Sequence, residues 1–358
     1  MSAVLAAERR TAPDFAARVR RLFKSGGADY ALTLGHPTAL RFFTGGGEGI
    51  GVLQADGGAT ILAASLQTES ARGTGFPVVE YGHRHEAARL AEHLGAVIPP
   101  QVRVGFWGEH LSVRAKAFLD GALPGRTLVD LTDAFLRIAT YKDEAEIECL
   151  RAACAIVSLV VQDVPDALRE GMTELDLAGD VNQRKIGAGS EGTAFGTIVA
   201  FGPNCAFPHA PTGHRQLRRG DFVMVDFGAV VQGCGSDLTR TFVFGDATDE
   251  QRAIYDLVYR AQQEAFRLCE RRAAKDEINA ACSRIFAAGG YGPMVHGVGH
   301  GLGLLGRCPF LLEPQCVSTV EPGLYVPGVG GVRIEDDILT SDRGVELLTD
   351  APRELLVV

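Results

Sequence analysis

Residues Asp221–Gly245 read DFVMVDFGAVVQGCGSDLTRTFVFG. Two runs rich in Val, Phe and Thr flank a Gly-containing turn, the pattern of a β-hairpin. Asp226 falls inside the first run and Asp237 opens the second. A two-residue loop centred on Val231-Gln232 puts these two aspartates on one face of the hairpin, and so does one centred on Gln232-Gly233. In either register their carboxylates are opposite or diagonal neighbours, within reach of one cation. Like charges that close are destabilising unless something neutralises them. A lone carboxylate inside FVMVDFGAVV is costly in its own right. A shared metal ion answers both objections and is the favoured reading; the alternative is that Asp237 lies in the turn and Asp226 hydrogen-bonds locally.

Moving outward, the next segment is HGVGHGLG, residues 296–303. His296 and His300 stand four apart, as in helical zinc sites, but a glycine at every second position argues against a helix. An extended, glycine-rich strip lets backbone approach a ligand closely. Beyond it lies VSTVEPGLYVPGVGGVRIEDDILT, residues 317–340. Glu321 precedes a proline and is therefore extended, and Glu335 follows a Gly-Gly pair in a strand-like run. Taken singly, either could be a solvent-facing carboxylate on an edge strand. Together the segments offer four carboxylates and an imidazole, a donor set suited to Mn²⁺, Fe²⁺, Co²⁺ or Zn²⁺. Four carboxylates overcharge one divalent ion, while two ions and a hydroxide between them balance the set. Two metals about 3.5–4 Å apart generate hydroxide at neutral pH and clamp the attacking and leaving atoms.

The rest of the chain reads as support. ADYALTLG, GIGVLQA, ATILAAS and VRVGFWG are strand-like, HRHEAARLAEHLGA is helical, and this alternation predicts a small α/β domain. His83, His85 and His93 fall on a polar helix face, not in a ligand set. The N-terminal stretch to Lys24 predicts an amphipathic helix, with Leu22 and Phe23 on one side and arginines on the other. From Lys142 to Val164 a long helical stretch opens on acids, where the helix dipole favours them. The domain boundary is placed just before it, giving domains 1–138 and 139–358. Strands and helices in blocks after Thr193 predict an α+β domain with a largely antiparallel sheet.

Composition narrows the function classes. The chain has 358 residues, 46% hydrophobic and 22% charged, ample for a large core. Its 44 acids outnumber its 35 lysines and arginines, for a net charge of -9, which argues against nucleic acid or an anionic membrane as partner. No apolar run reaches the length of about 18 residues that a spanning helix needs, and the N-terminus lacks a signal-peptide pattern. Eight cysteines are scattered without a C-x-x-C pair, the usage of reduced, mostly buried residues in a cytoplasmic protein.

The order Asp226, Asp237, His300, Glu321, Glu335, within SDLTRTF, HGVGHGLGL, EPGLY and GGVRIEDD, resembles the pita-bread metallopeptidases. Within them it is most similar to the prolidase and aminopeptidase P branch, from about Thr193 to Thr349. The first 138 residues resemble that branch's creatinase-like N-terminal domain. The resemblance implies that Asp226 and Asp237 bind metal with Asp237 bridging, that His300 and Glu321 each bind one ion, and that Glu335 bridges. Glu321 would also be the general base. His209, in FPHAPTG, matches a histidine lining the substrate cleft, and His296 one that binds near the scissile carbonyl and the tetrahedral intermediate. Arg333 matches a residue that orients active-site groups or the substrate carboxylate. Where that branch carries V-H-E after GHGLGL, this chain has Gly306, Arg307 and Cys308. A guanidinium there is a permanent carboxylate receptor, suited to the free carboxylate of a C-terminal proline. The expectation is an Xaa-Pro dipeptidase using two divalent ions per subunit, Mn²⁺ first among them, on small proline-containing peptides and as a homodimer. Its rivals are an aminopeptidase P, with the same residues acting on longer peptides, and a metal-free pita-bread binding protein.

Overall fold

The computed structural model describes residues 13–36 and 38–358. These form two compact units, residues 13–139 and Thr140–Val358.

In the first unit, six strands make one mixed sheet: β1 (Tyr30–Leu32), β2 (Ile50–Gln54), β3 (Ala59–Ala63), β4 (Val78–Glu80), β5 (Arg103–Phe106) and β6 (Thr127–Asp130), in the order β4-β3-β2-β1-β5-β6. The strand-like runs of the sequence all become strands here. The helix Phe15–Gly26 is capped by Asp14, whose carboxylate accepts from the Ala17 amide at 2.8 Å. The part of the predicted N-terminal helix before residue 13 lies outside the described residues. Leu22 is buried as expected, but Arg18 is buried too. It donates to the Phe42 carbonyl at 2.8 Å and lies over the Phe42 ring, so the arginines do not all face water. The helix predicted from His83 starts at Ala87, which leaves His83 and His85 exposed in the preceding turns and only His93 on the helix.

The second unit holds the predicted metal-binding residues. Its long helix Glu144–Gln162 starts with a capping box between Asp143 and Glu146, and helix Asp249–Glu270 with one between Thr248 and Gln251. Strands β7 (Ile198–Phe201), β8 (Phe222–Phe227) and β11 (Leu238–Val243) form a sheet in the order β11-β8-β7. The short strands β9 (Val230–Val231) and β10 (Cys234–Gly235) complete the hairpin. Two further sheets follow, with β12 (Cys316–Val320), β15 (Asp336–Ser341) and β16 (Gly344–Leu347) in one and β13 (Gly323–Val326) with β14 (Gly330–Arg333) in the other. Every strand pairing in these sheets is antiparallel.

The β8 run is apolar apart from Asp226 because both of its faces are covered. Phe222 and Met224 join a core with Ile254, Val258 and Ala261 of the Asp249–Glu270 helix, while Val223, Val225 and Phe227 join one with Val157, Val161 and Val181. Asp226 shares the parity of Phe222 and Met224 and so points to the side where β13, β14 and β15 pack. All eight cysteines are buried, and none is paired in a disulfide. Among the described residues no helix is long and apolar enough to cross a membrane.

Candidate metal centre

The hairpin turns at Gln232 and Gly233, both with positive φ (49° and 84°), the backbone that a two-residue turn between right-twisted strands requires. Val231 pairs with Cys234, Phe227 with Leu238, and Asp226 with Thr239. Of the two registers the sequence allows, the strands adopt the one centred on Gln232-Gly233. Asp237 is therefore the diagonal neighbour of Asp226. Glu335 arrives from the short break between β14 and β15. Thr239 docks it twice: the Thr239 carbonyl accepts from the Glu335 amide at 3.1 Å, and its hydroxyl donates to Glu335 Oε2 at 2.6 Å. One carboxylate oxygen from each of Asp226, Asp237 and Glu335 lies within 4.8 Å of the others.

The glycine-rich strip supplies the imidazole. It runs extended beside β12: the Glu321 amide donates to the Val298 carbonyl at 2.8 Å, and the Thr319 amide to the His300 carbonyl at 2.8 Å. A Cβ on Gly299 would lie 2.0 Å from the Thr319 carbonyl oxygen, so only glycine permits this approach. The Thr319 hydroxyl accepts from the His300 amide at 3.1 Å and donates to Glu321 Oε1 at 3.2 Å. His300 Nε2 then stands 3.6 Å from Asp237 Oδ2 and 3.7 Å from Glu321 Oε1. The five residues singled out from the sequence thus converge from four separate segments.

Electrostatically the cluster is a poor place for unneutralised carboxylates. Burial first, then the charges of Glu335 and Asp226, pushes Asp237 well above the carboxylate range. Burial and the nearby Glu321 and Asp226 do the same to Glu335, and burial raises Glu321. His300 is held down at about 4 by burial and then by the charge of Arg307, so its ring is neutral at pH 7. Its Nδ1 faces the Gly301 carbonyl at 3.1 Å. A carbonyl only accepts, so Nδ1 carries the proton and Nε2 presents a lone pair. Asp226 Oδ1, Asp237 Oδ1 and His300 Nε2 are buried without any hydrogen-bond partner. Orphaned electron-pair donors within one buried cluster are what bound cations resolve. The residues present therefore fit a divalent metal site. The side chains of Asp226 and Asp237 keep 9% and 10% exposure and those of His300 and Glu321 16% and 15%, so the last two are the more open.

Around this centre Arg333 is 2% exposed, with four of its five N–H donors engaged by protein acceptors. Nε donates to Thr239 Oγ1 at 3.0 Å, Nη1 to the Pro208 carbonyl at 3.1 Å and the Tyr325 hydroxyl at 2.8 Å, and Nη2 to Asp226 Oδ2 at 2.5 Å. His296 Nδ1 faces the Gly297 carbonyl at 2.9 Å, and Nε2 faces the Tyr325 hydroxyl at 2.8 Å. Both ring nitrogens are engaged, and burial pushes its pKa down, so the neutral ring has no spare N–H for a substrate. His209 is exposed. Arg307 is exposed too, and its charge depresses both His296 and His300.

Several residues that matter here are invisible to motif reading. Tyr325 links Arg333 to His296, and burial pushes its hydroxyl up to about 12. Asp337, also buried, accepts from the Asp237 amide at 2.9 Å. Thr239 and Thr319 orient Glu335 and Glu321. For Thr239, Tyr325 and Asp337 the available signal was their place inside the ligand motifs SDLTRTF, EPGLY and RIEDD, and for Thr319 its place two positions before Glu321; only folding reveals which partner each holds.

Residues 148–342 match the family model described as Metallopeptidase family M24, and residues 16–138 match the Creatinase/Prolidase N-terminal domain. A Xaa-Pro dipeptidase of Pyrococcus horikoshii is 32% identical over 309 residues, covering 83% of this chain and 86% of the relative. Among solved structures, a Xaa-Pro dipeptidase from Bacillus anthracis superposes with a TM-score of 0.85 at 27% identity, covering 96% of this chain and 99% of that one. An X-Pro aminopeptidase from Thermotoga maritima superposes with a TM-score of 0.84 at 28% identity, covering 94% and 100%.

Proposed function

The chain belongs to metallopeptidase family M24, and from that premise we propose that it is a dinuclear Xaa-Pro dipeptidase that hydrolyses the bond before a C-terminal proline. The observation that carries this reading is the convergence of Asp226, Asp237, His300, Glu321 and Glu335, with three buried donor atoms lacking any other partner.

These five residues would hold two divalent ions, Mn²⁺ first among the candidates. Such ions supply Lewis acidity for the scissile carbonyl and a nucleophile at neutral pH. Glu321 is the general base: its Oε1 lies on the open side of the cluster, steadied by Thr319, and takes the proton of the attacking water. The same carboxyl returns that proton to the proline nitrogen as the C–N bond breaks. His209 faces solvent and donates to the developing oxyanion. His296, locked between Gly297 and Tyr325, keeps Arg333 and Asp226 in place and makes no direct contact with the oxyanion.

Proline suits this apparatus, because a residue without an N–H breaks any β-ladder that would otherwise hold the peptide. Binding then rests on end groups. With Arg333 committed to protein acceptors, the exposed Arg307 is assigned the free carboxylate of the proline. Arg307→Ala is expected to raise KM for Ala-Pro by about tenfold or more while leaving kcat near its original value. A peptide-length series tests the reading as a whole. Release of proline from Ala-Pro, with Ala-Pro-Xaa left intact, supports the dipeptidase. Cleavage confined to the longer peptide would instead make the chain an aminopeptidase P, and hydrolysis of neither would leave it a binding protein. The buried cysteines, without a disulfide, and the acidic balance are consistent with a cytoplasmic enzyme, and a homodimer is the assembly proposed.

A further inference from the structure

We propose that Glu174 is a positioning residue for His209, acting through the backbone of residues 201–213; this rests on the dipeptidase reading for what His209 does, but not for where it is held. Glu174 opens the helix Glu174–Gly187 and is completely buried. Its Oε1 accepts from the Phe201 amide at 2.9 Å and from Asn204 Nδ2 at 2.8 Å, while Oε2 accepts from the Gly213 amide at 2.9 Å. Its own amide donates to the Arg215 carbonyl at 3.1 Å, and the Leu175 amide to the Gly213 carbonyl at 3.1 Å. One carboxylate in the first turn of a helix, where the dipole favours negative charge, therefore ties both ends of a single loop.

That loop carries two groups assigned to the site and an exposed aromatic beside them. The Pro208 carbonyl accepts from Arg333 Nη1, Phe207 stands 60% exposed, and His209 follows it, exposed. His209 makes no hydrogen bond of its own among the described residues, so its place is set by the backbone on either side. Glu174, for its part, makes no hydrogen bond or ion pair with any of the five metal-ligand candidates. Its effect on chemistry must pass through the loop. Misplacing a catalytic group by about 1 Å is enough to cost rate.

The substitution Glu174→Gln keeps size and shape but turns an NH₂ group toward an N–H donor, loosening one end of the loop. The test is a double-mutant cycle on Mn²⁺-loaded, full-length protein hydrolysing Ala-Pro, with Glu174→Gln in the natural and the His209→Ala backgrounds. We expect Glu174→Gln to lower kcat about tenfold with KM little changed, and to lower it less than about twofold once His209 is gone. Equal losses in both backgrounds, or no loss in either, would overturn the inference. If Glu174→Gln does not fold, Asn204→Ala, which removes one of the three bonds, is run through the same cycle with a smaller but equally non-additive loss expected. Limited proteolysis separates this inference from the dipeptidase reading. Faster cutting after Phe207 in Glu174→Gln is expected whether or not the protein releases proline. Unchanged cutting would defeat the positioning role, whereas proline release that fails in the unmodified protein defeats only the dipeptidase reading.

Discussion

Arg333 shows how much of this site is carried by residues that need touch neither metal nor substrate. Its planar fork meets Asp226, Thr239, Tyr325 and Pro208 at once, a geometry an ammonium cannot copy. Arg333→Lys is expected to lower kcat/KM by about 100-fold and to weaken metal binding about 10-fold or more, as loss of an outer orienting partner does; kinetics with a metal titration reads both. Asp237, Glu335 and Glu321 are all shifted upward, chiefly by burial. Protons held there in metal-free protein must leave when a cation binds, so metal binding releases protons and tightens as pH rises. Calorimetry of Mn²⁺ binding in buffers of different ionisation enthalpy should report net proton release near pH 6; net uptake would contradict it. The five candidate ligands were legible because each sits in a motif whose residue types are costly without a cation. The partners of Tyr325 and Glu174 were not, because they lie 8 to 39 positions away in the chain, beyond the reach of a local pattern.

The elements place these residues by close backbone approach and by register. Gly299→Ala drives a methyl into the Thr319 carbonyl, and backbone cannot yield as a side-chain tip can. Urea unfolding is expected to show a loss of about 3 kcal/mol, together with weaker metal binding as His300 is displaced. The helix Glu174–Gly187 carries a second testable feature. Lys185 is completely buried, donates to the Gly228 carbonyl at 3.0 Å, and is pushed down to about 8 by burial. Its folded value lies below its ordinary 10.5, so between those two the unfolded chain binds the extra proton and stability rises with pH. Relative to Lys185→Met, the natural protein should gain about 3 kcal/mol from pH 8 to 10.5; the comparison cancels the opposing titration of buried thiols and Tyr255. The hairpin was legible to within two registers, and the turn backbone at Gln232 and Gly233 decided between them. The burial of Arg18 was not legible, since it depends on Phe42 being brought up beside it by the fold.

At the scale of the molecule, the sequence pattern revealed an α/β part followed by an α+β part, because periodicity and turn residues are local. The strand order of the six-stranded sheet was not legible, since pairing between distant strands leaves no period in the chain. The α+β unit is built so that four carboxylates meet at one buried point, and its stability should depend on what fills that point. Chelation is expected to lower the melting temperature by about 5–10 °C, and Mn²⁺ at 100 times its Kd to restore it. In Asp237→Ala the metal response should vanish. The most direct test of the metal centre counts ions and follows chemistry together. Chelator-stripped protein is titrated with Mn²⁺ while bound metal and proline release from Ala-Pro are both recorded, with Asp237→Ala alongside. The account predicts no hydrolysis before metal is added, saturation at about two ions per chain, and neither binding nor activity in the variant. Full activity in the stripped protein, or an active Asp237→Ala, would contradict it.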